Sequence, residues 1–261
     1  MKEILTGRNP VYEALRARRR QGFRLFVAEG AQEKGRLGEI LQLCAARKIP
    51  CERVNRARLD SLDAHHQGVA LEISGYPYAD LSDIFALADQ RNEPPFLLIL
   101  DTLQDPQNLG TLLRTAESVG VHGVLLPLRH TVTVTPAVVH ASSGASEYLL
   151  IAQANLAQSI EALKTAGVWV IGLENSPQGA EVGRLRLDGP LALVVGSEAE
   201  GMRPLVRDSC DGLLRLPMRG QVDSLNASVA GSIALYLAWQ ARQFGGARDG
   251  GEAKNPGVNP K

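Results

Sequence analysis

The sequence predicts an α/β protein, with a mostly parallel sheet over residues 96–243 and a small α/β domain ahead of it. Short apolar runs such as Phe96–Leu100 and Leu191–Val195 alternate with segments of helical period, the pattern of parallel strands joined by crossover helices. The 261 residues, 44% of them hydrophobic, suffice for one large core or two small ones. Charge is balanced, with 28 Lys and Arg against 28 Asp and Glu, and ample aliphatics argue against a wholly disordered chain. Three cysteines, none in a Cys-x-x-Cys pair, point to neither a disulfide framework nor a zinc site, so no metal is expected. The N-terminal stretch has no apolar signal-like region and no uncharged apolar run approaches about 18 residues, so the expectation is a soluble cytoplasmic protein with no membrane partner.

Residues 5–20 read as a helix, with Asn9 as cap, Pro10 at the first helical position and Val11, Ala14 and Leu15 as its apolar stripe. A strand at Arg24–Ala28, a helix over 33–47 (Leu37, Ile40, Leu41 and Cys44 on one face), a strand at 51–54 and a turn and strand over 65–73 complete a domain of residues 1–75. Gly75-Tyr76-Pro77-Tyr78 and Glu93-Pro94-Pro95 bound a linker, 76–95, holding a short helix at 81–90. Strands follow at Phe96–Leu100, Gly123–Leu126, 148–152, Val168–Leu173, Leu191–Val195 and Gly212–Leu216. Helices are expected at 108–119, 136–143, 156–166, 201–208 and 224–243. The tail, 244–261, is rich in Gly and Pro and reads as disordered.

Charge is unevenly spread. Residues 1–75 hold 14 Lys and Arg against 9 Asp and Glu, leaving 14 basic and 19 acidic residues in the remainder. The basic end is a candidate footprint for a polyanion, although runs such as Arg18-Arg19-Arg20 also suit a solvated helix face.

Open parallel sheets bind ligands at the carboxyl ends of their strands, and three exits carry unusual composition. The first, Asp101 to Ala116, holds Asp105-Pro106-Gln107-Asn108-Leu109-Gly110, where Asn108 suits a helix cap, and Arg114 further on, which is either partnered in a site or snorkelling to solvent. The second, Gly196-Ser197-Glu198-Ala199-Glu200-Gly201, allows close backbone approach but lacks the Lys-Ser/Thr of a phosphate loop. The third, Leu216-Pro217-Met218 to Ser228, runs into a helix with Ser224 as a good cap and a face of small residues that packing explains as well as a ligand does.

Taken together, Asp101-(x3)-Asp105-Pro-x-Asn108-x-Gly110-(x3)-Arg114-Thr-Ala, Gly196-Ser-Glu198-Ala-Glu200-Gly201 and Leu216-Pro-Met218-(x5)-Ser224-Leu-Asn226-Ala-Ser228 resemble the three motifs of the SPOUT superfamily, in its TrmH (SpoU-type) branch. Gly7-Arg-Asn-Pro-Val-Tyr-Glu-Ala-Leu15, Val27-Ala-Glu-Gly30 and His66-Gln-Gly-Val-Ala70 resemble the substrate-binding domain of that branch's bacterial 23S rRNA (guanosine-2′-O-)-methyltransferases. The resemblance implies a deep trefoil knot in the C-terminal part, a homodimer, and methyl transfer from S-adenosylmethionine to a ribose 2′-hydroxyl of RNA. It implies cofactor contacts at Gly196, Leu216, Met218 and Leu225, and a catalytic set of Arg114, Asn108, Glu198, Ser224 and Asn226. Arg8, Arg16, Arg18, Arg19 and Arg20 are expected to grip RNA phosphates. Two departures stand out: Ser197 replaces a frequent Asn, and His140 a frequent Lys or Arg. His122 and His130 match no functional position and are assigned to packing or surface; His65 and His66 suit a turn better than an RNA contact. The alternatives are a tRNA ribose methyltransferase, an antibiotic-resistance rRNA methyltransferase and a non-catalytic rRNA-binding assembly protein. A nucleotide-cofactor oxidoreductase lacks its glycine pattern.

Overall fold

The computed structural model describes residues 2–197, 200–222 and 224–246. Most of the expected tail, 247–261, therefore lies outside the described residues, as does Glu198.

The N-terminal unit comprises β1 (Lys2–Thr6), α1 (Arg8–Ala17), β2 (Gly22–Ala28), α2 (Arg36–Ala46), β3 (Cys51–Val54), α3 (Arg56–Asp60) and β4 (Val69–Ser74). Its sheet runs β1-β4-β2-β3, with β4 antiparallel to both neighbours and β3 parallel to β2. The expected helix from residue 5 is thus corrected. Leu5 pairs across from Leu71 in β1, and Gly7, at φ +85°, turns the chain into a helix that begins at Arg8 rather than after Asn9. Pro10 still falls in the first turn, where its missing N–H costs nothing.

Past α4 (Leu81–Arg91) come β5 (Phe96–Leu100), α5 (Pro106–Ser118), β6 (Gly123–Pro127), α6 (Pro136–Ala141), β7 (Leu150–Ala154), α7 (Leu156–Thr165), β8 (Trp169–Leu173), β9 (Ala180–Glu181), β10 (Leu191–Val195), α8 (Pro204–Ser209), β11 (Gly212–Arg215) and α9 (Ala227–Ala241). The sheet order is β7-β6-β5-β10-β8-β11-β9 and every pairing among the described residues is parallel. Strands β5 and β10 are buried throughout because helices cover both faces, which is why they read as unbroken apolar runs. Leu98 and Leu100 face a core shared with Leu112 of α5 and Leu235 of α9; Leu97 and Ile99 face Ile84 of α4 and Ile160 of α7. The first of these cores continues without a break into Leu5, Leu25 and Leu71 of the N-terminal sheet.

Polar contacts tie the two units as well. The Arg20 side chain is 0% exposed and pairs with Glu147 at 3.1 Å and with Glu3, while donating to the Ser74 carbonyl. Arg19 donates to the carbonyls of Leu149 and of Pro77, the latter at 3.1 Å, and to the Tyr76 hydroxyl at 3.2 Å. These two arginines are therefore not surface phosphate grips: Arg20 has no surface to offer RNA, and Arg19 is spent on carbonyls across the junction. Arg16 and Arg18 are exposed.

Buried His122 accepts from the Phe96 N–H at Nδ1 (3.0 Å) and lies 3.1 Å from Glu93 through Nε2, so its proton sits on Nε2. Burial holds its pKa below the ordinary value. An unfolded His122 binds a proton more readily than the folded one, so stability is fully present above the unfolded pKa of about 6.5 and is lost as pH falls below it. Urea midpoints are expected to fall between pH 7 and 5 by more in the wild type than in His122→Gln; equal slopes would remove His122 as the cause.

Candidate active site

The carboxyl ends of the parallel strands share one edge of the sheet, and the three exits singled out above leave from β5, β10 and β11. Strands β10 and β11 flank β8, so Gly196 and Leu216 begin their loops about 10 Å apart.

The first exit enters α5 through Asp105, whose carboxylate accepts from the N–H groups of Gln107 (3.1 Å) and Asn108 (3.3 Å), with Pro106 at the first helical position. Asn108 is therefore not the cap. It lies buried inside the first turn, its Oδ1 accepting from Asn226 Nδ2 at 3.1 Å. Asn226 rather than Ser224 caps α9, its Oδ1 accepting from the N–H groups of Ser228 (2.9 Å) and Val229 (3.2 Å). One amide thus starts α9 and holds Asn108 of α5. The helices are further joined where the hydroxyls of Thr115 and Ser232 meet at 2.9 Å.

Gly110 sets the other side. A Cβ there would lie 2.4 Å from Ala141 Cβ, so only glycine lets α5 press this closely on α6. One turn later the exposed Arg114 points its Nη1 at Ser143 Oγ, 3.4 Å away, in the loop after α6. The guanidinium is consequently open to solvent and, among the described residues, anchored at one corner.

In the second exit Gly196 is buried and a Cβ on it would stand 2.2 Å from the Gly201 carbonyl carbon, while Ser197 and Gly201 exchange backbone hydrogen bonds of 2.9 and 3.0 Å. This loop folds back tightly on itself. A contact that sequence reasoning missed pins its far end: fully buried Asp101 accepts from the Arg203 N–H and Nε, both at 2.8 Å, and pairs with its Nη2 at 2.7 Å. Asp101 was visible in the first motif, but nothing in the sequence names Arg203 as its partner. In the third exit Leu216 and Met218 are half-buried, and Ser224 and Leu225 are exposed beside the α9 cap.

Residues 95–236 match the family model described as SpoU rRNA methylase, and residues 4–79 match one for RNA 2′-O ribose methyltransferase substrate binding. The chain belongs to the SpoU rRNA methylase family. Among relatives, a Bacillus subtilis protein, YacO, named as a TrmH family tRNA/rRNA methyltransferase, is 41% identical over 244 residues, covering 92% of this chain and 96% of its own. The SpoU methyltransferase AviRb from Streptomyces viridochromogenes, solved with the cofactor AdoMet, has a similar fold (TM-score 0.76, 22% identity, 94% of this chain and 92% of that one). The A. aeolicus TrmH/SpoU tRNA modifying enzyme is similar over less of the chain, with TM-score 0.54 and 24% identity, covering 64% of this chain and 87% of its own. As a SpoU family member the chain is an RNA methyltransferase, and Asn108, Arg114 and Asn226 lie on the two helices that meet at the carboxyl edge of its sheet.

Proposed function

We propose that the protein transfers the methyl group of S-adenosylmethionine to the ribose 2′-hydroxyl of a guanosine in 23S rRNA, in the cytoplasm and as a homodimer. The observation that carries this is the exposed Arg114 guanidinium on α5, the helix that leaves the carboxyl end of β5 and is held there by the Asn226–Asn108 hydrogen bond. Residues 1–75 serve as the RNA-binding unit, 76–95 as the connection and 96–243 as the methyltransferase unit, with the C-terminal part threaded as a trefoil.

The residues present suit the methyl donor. Gly196 lets the loop after β10 close on itself, since any Cβ there would collide with the Gly201 and Met202 backbone, and the apolar side chains of Leu216, Met218 and Leu225 on the neighbouring exit suit an adenine-bearing ligand. When bound, the donor supplies an electrophilic methyl. The chain's own groups act on the other reactant. Arg114 stabilises the oxyanion that develops as the ribose hydroxyl loses its proton; a guanidinium serves here as a positive charge and hydrogen-bond donor rather than as a base. Asn226 holds the Asn108 amide in place, and Glu198 and Ser224 complete the set in this reading.

The rRNA assignment over tRNA is supported by the description of the family model over residues 95–236, which names rRNA methylation, and by the substrate-binding unit at residues 4–79. Mapping ribose methylations in rRNA and tRNA from a deletion strain against its parent tests it: one missing guanosine mark in 23S rRNA is expected, and a missing tRNA mark with intact rRNA would replace this reading with the tRNA one.

The dimer is supported by α9. Val229, Ile233 and Tyr236, each at least 40% exposed, form one stripe at i, i+4, i+7 beside Phe244. An exposed apolar stripe of this kind suits a self-complementary contact with a second copy. Ile233→Glu is expected to convert a dimer to a monomer in sedimentation equilibrium; a wild type that sediments as a monomer would end the proposal.

A further inference from the structure

Three segments distant in sequence meet in a cleft of about 630 Å³ on the N-terminal unit: Arg8 at the start of α1, the turn after β2 at Glu29 and Gly30, and His66-Gln67 ahead of β4, with Arg56 contributed by α3. The cleft is built rather than incidental. His66, 2% exposed, accepts from the Gly68 N–H at Nδ1 (2.8 Å) and lies 3.0 Å from Asp60 through Nε2, which fixes the turn. Gln67, held at φ +51°, accepts from the Arg8 N–H at 2.9 Å through Oε1 and from Arg8 Nε at 3.2 Å through its carbonyl. Among the described residues Arg8 is therefore anchored by one edge, and its Nη groups have no partner there. Gly30 adopts φ +73° with open space where a Cβ would stand, so the backbone of the turn faces the cleft uncovered.

The cleft also adjoins the catalytic unit. A Cβ on Gly7 would lie 3.5 Å from the His140 ring, on the last turn of α6, and the loop immediately after α6 carries the Ser143 that Arg114 contacts. Gly7, next to the cleft residue Arg8, thus packs on the same short helix whose following loop touches Arg114. The volume falls within the usual range for a small-ligand site, about 300–1,000 Å³. The one aromatic ring among the nine lining residues, that of His66, is 2% exposed and tied at both nitrogens, so recognition here runs through charge and hydrogen bonds rather than stacking.

We propose that this cleft holds one unpaired nucleotide of the substrate RNA, with its phosphate on Arg8 and Arg56 and its base on the Glu29 carboxylate, beside the Arg114 of the same protomer. The carboxylate selects a base that presents N–H donors on its pairing edge. The inference rests on the RNA methyltransferase reading, and a charge swap separates the two. Filter binding of deproteinised large-subunit rRNA from a deletion strain is measured across a salt series. Arg8→Ala and Arg56→Ala are each expected to weaken binding and to reduce the slope of log K against log salt by about 0.7, the value for one single-strand phosphate contact. Glu29→Ala decides between a nucleotide site and a diffuse basic patch: removing a negative charge tightens RNA on a patch, whereas losing the base contact weakens it. Tighter binding by Glu29→Ala, or unchanged slopes in both arginine variants, overturns the cleft while the wild type still methylates rRNA. A wild type that neither binds nor methylates any rRNA or tRNA overturns the cleft and the methyltransferase reading together.

Discussion

Replacing Arg114 with alanine is expected to slow single-turnover methyl transfer by about 10²–10³-fold, the range for loss of one preorganised donor aimed at a developing oxyanion. The fold should survive, because Arg114 is exposed and its one described hydrogen bond, to Ser143 Oγ, is a long 3.4 Å. Arg114→Lys keeps the charge but not the planar fork, and should recover only part of the rate. The decisive readout is the rate at saturating RNA and donor. If Arg114→Ala runs near the wild-type rate there, the oxyanion must be stabilised elsewhere.

Arg20→Ala is expected to destabilise the protein by about 3–5 kcal/mol, because it leaves the fully buried Glu147 without its cation. Burial pushes the Glu147 carboxyl above the ordinary carboxylate range, with Arg20 acting in the opposite sense. In the variant the folded carboxyl would bind a proton more readily than the unfolded one, so its deficit should shrink as pH falls toward the folded pKa. Removing both charges, in Arg20→Met with Glu147→Leu, should restore much of the loss. Equilibrium denaturation of the wild type and these two variants checks this, and Arg20→Ala as stable as the wild type would show that the pair is dispensable.

The repeating framework was legible because each central strand is buried on both faces, and burial on both faces leaves an unbroken apolar run in the sequence. Element starts were less so. Asn108 and Ser224 have the right side chains to cap, but Asp105 and Asn226 hold those positions, and a local motif cannot say which of several polar residues turns toward the free N–H groups. Strand β1 was hidden because its partner, β4, lies some seventy residues along the chain; without that pairing Leu5 reads as the lead into a helix. The role of Arg20 was unreadable for the same reason, since Glu147 is 127 residues away and a basic run looks like a solvated face until its counter-charge is found. In the site, the motifs located Asn108, Arg114, Gly196 and Asn226, but not the Arg203 that closes on Asp101, nor the Ser143 that steadies Arg114.

The double employment of Asn226 has a bearing on any kinetic dissection. Because the same amide begins a helix and orients the neighbouring Asn108, truncating it is expected to lower the melting point, so slower turnover in that variant would not by itself assign Asn226 to the reaction. Two helix starts are soldered at that residue, so any change to its amide disturbs α5 and α9 together.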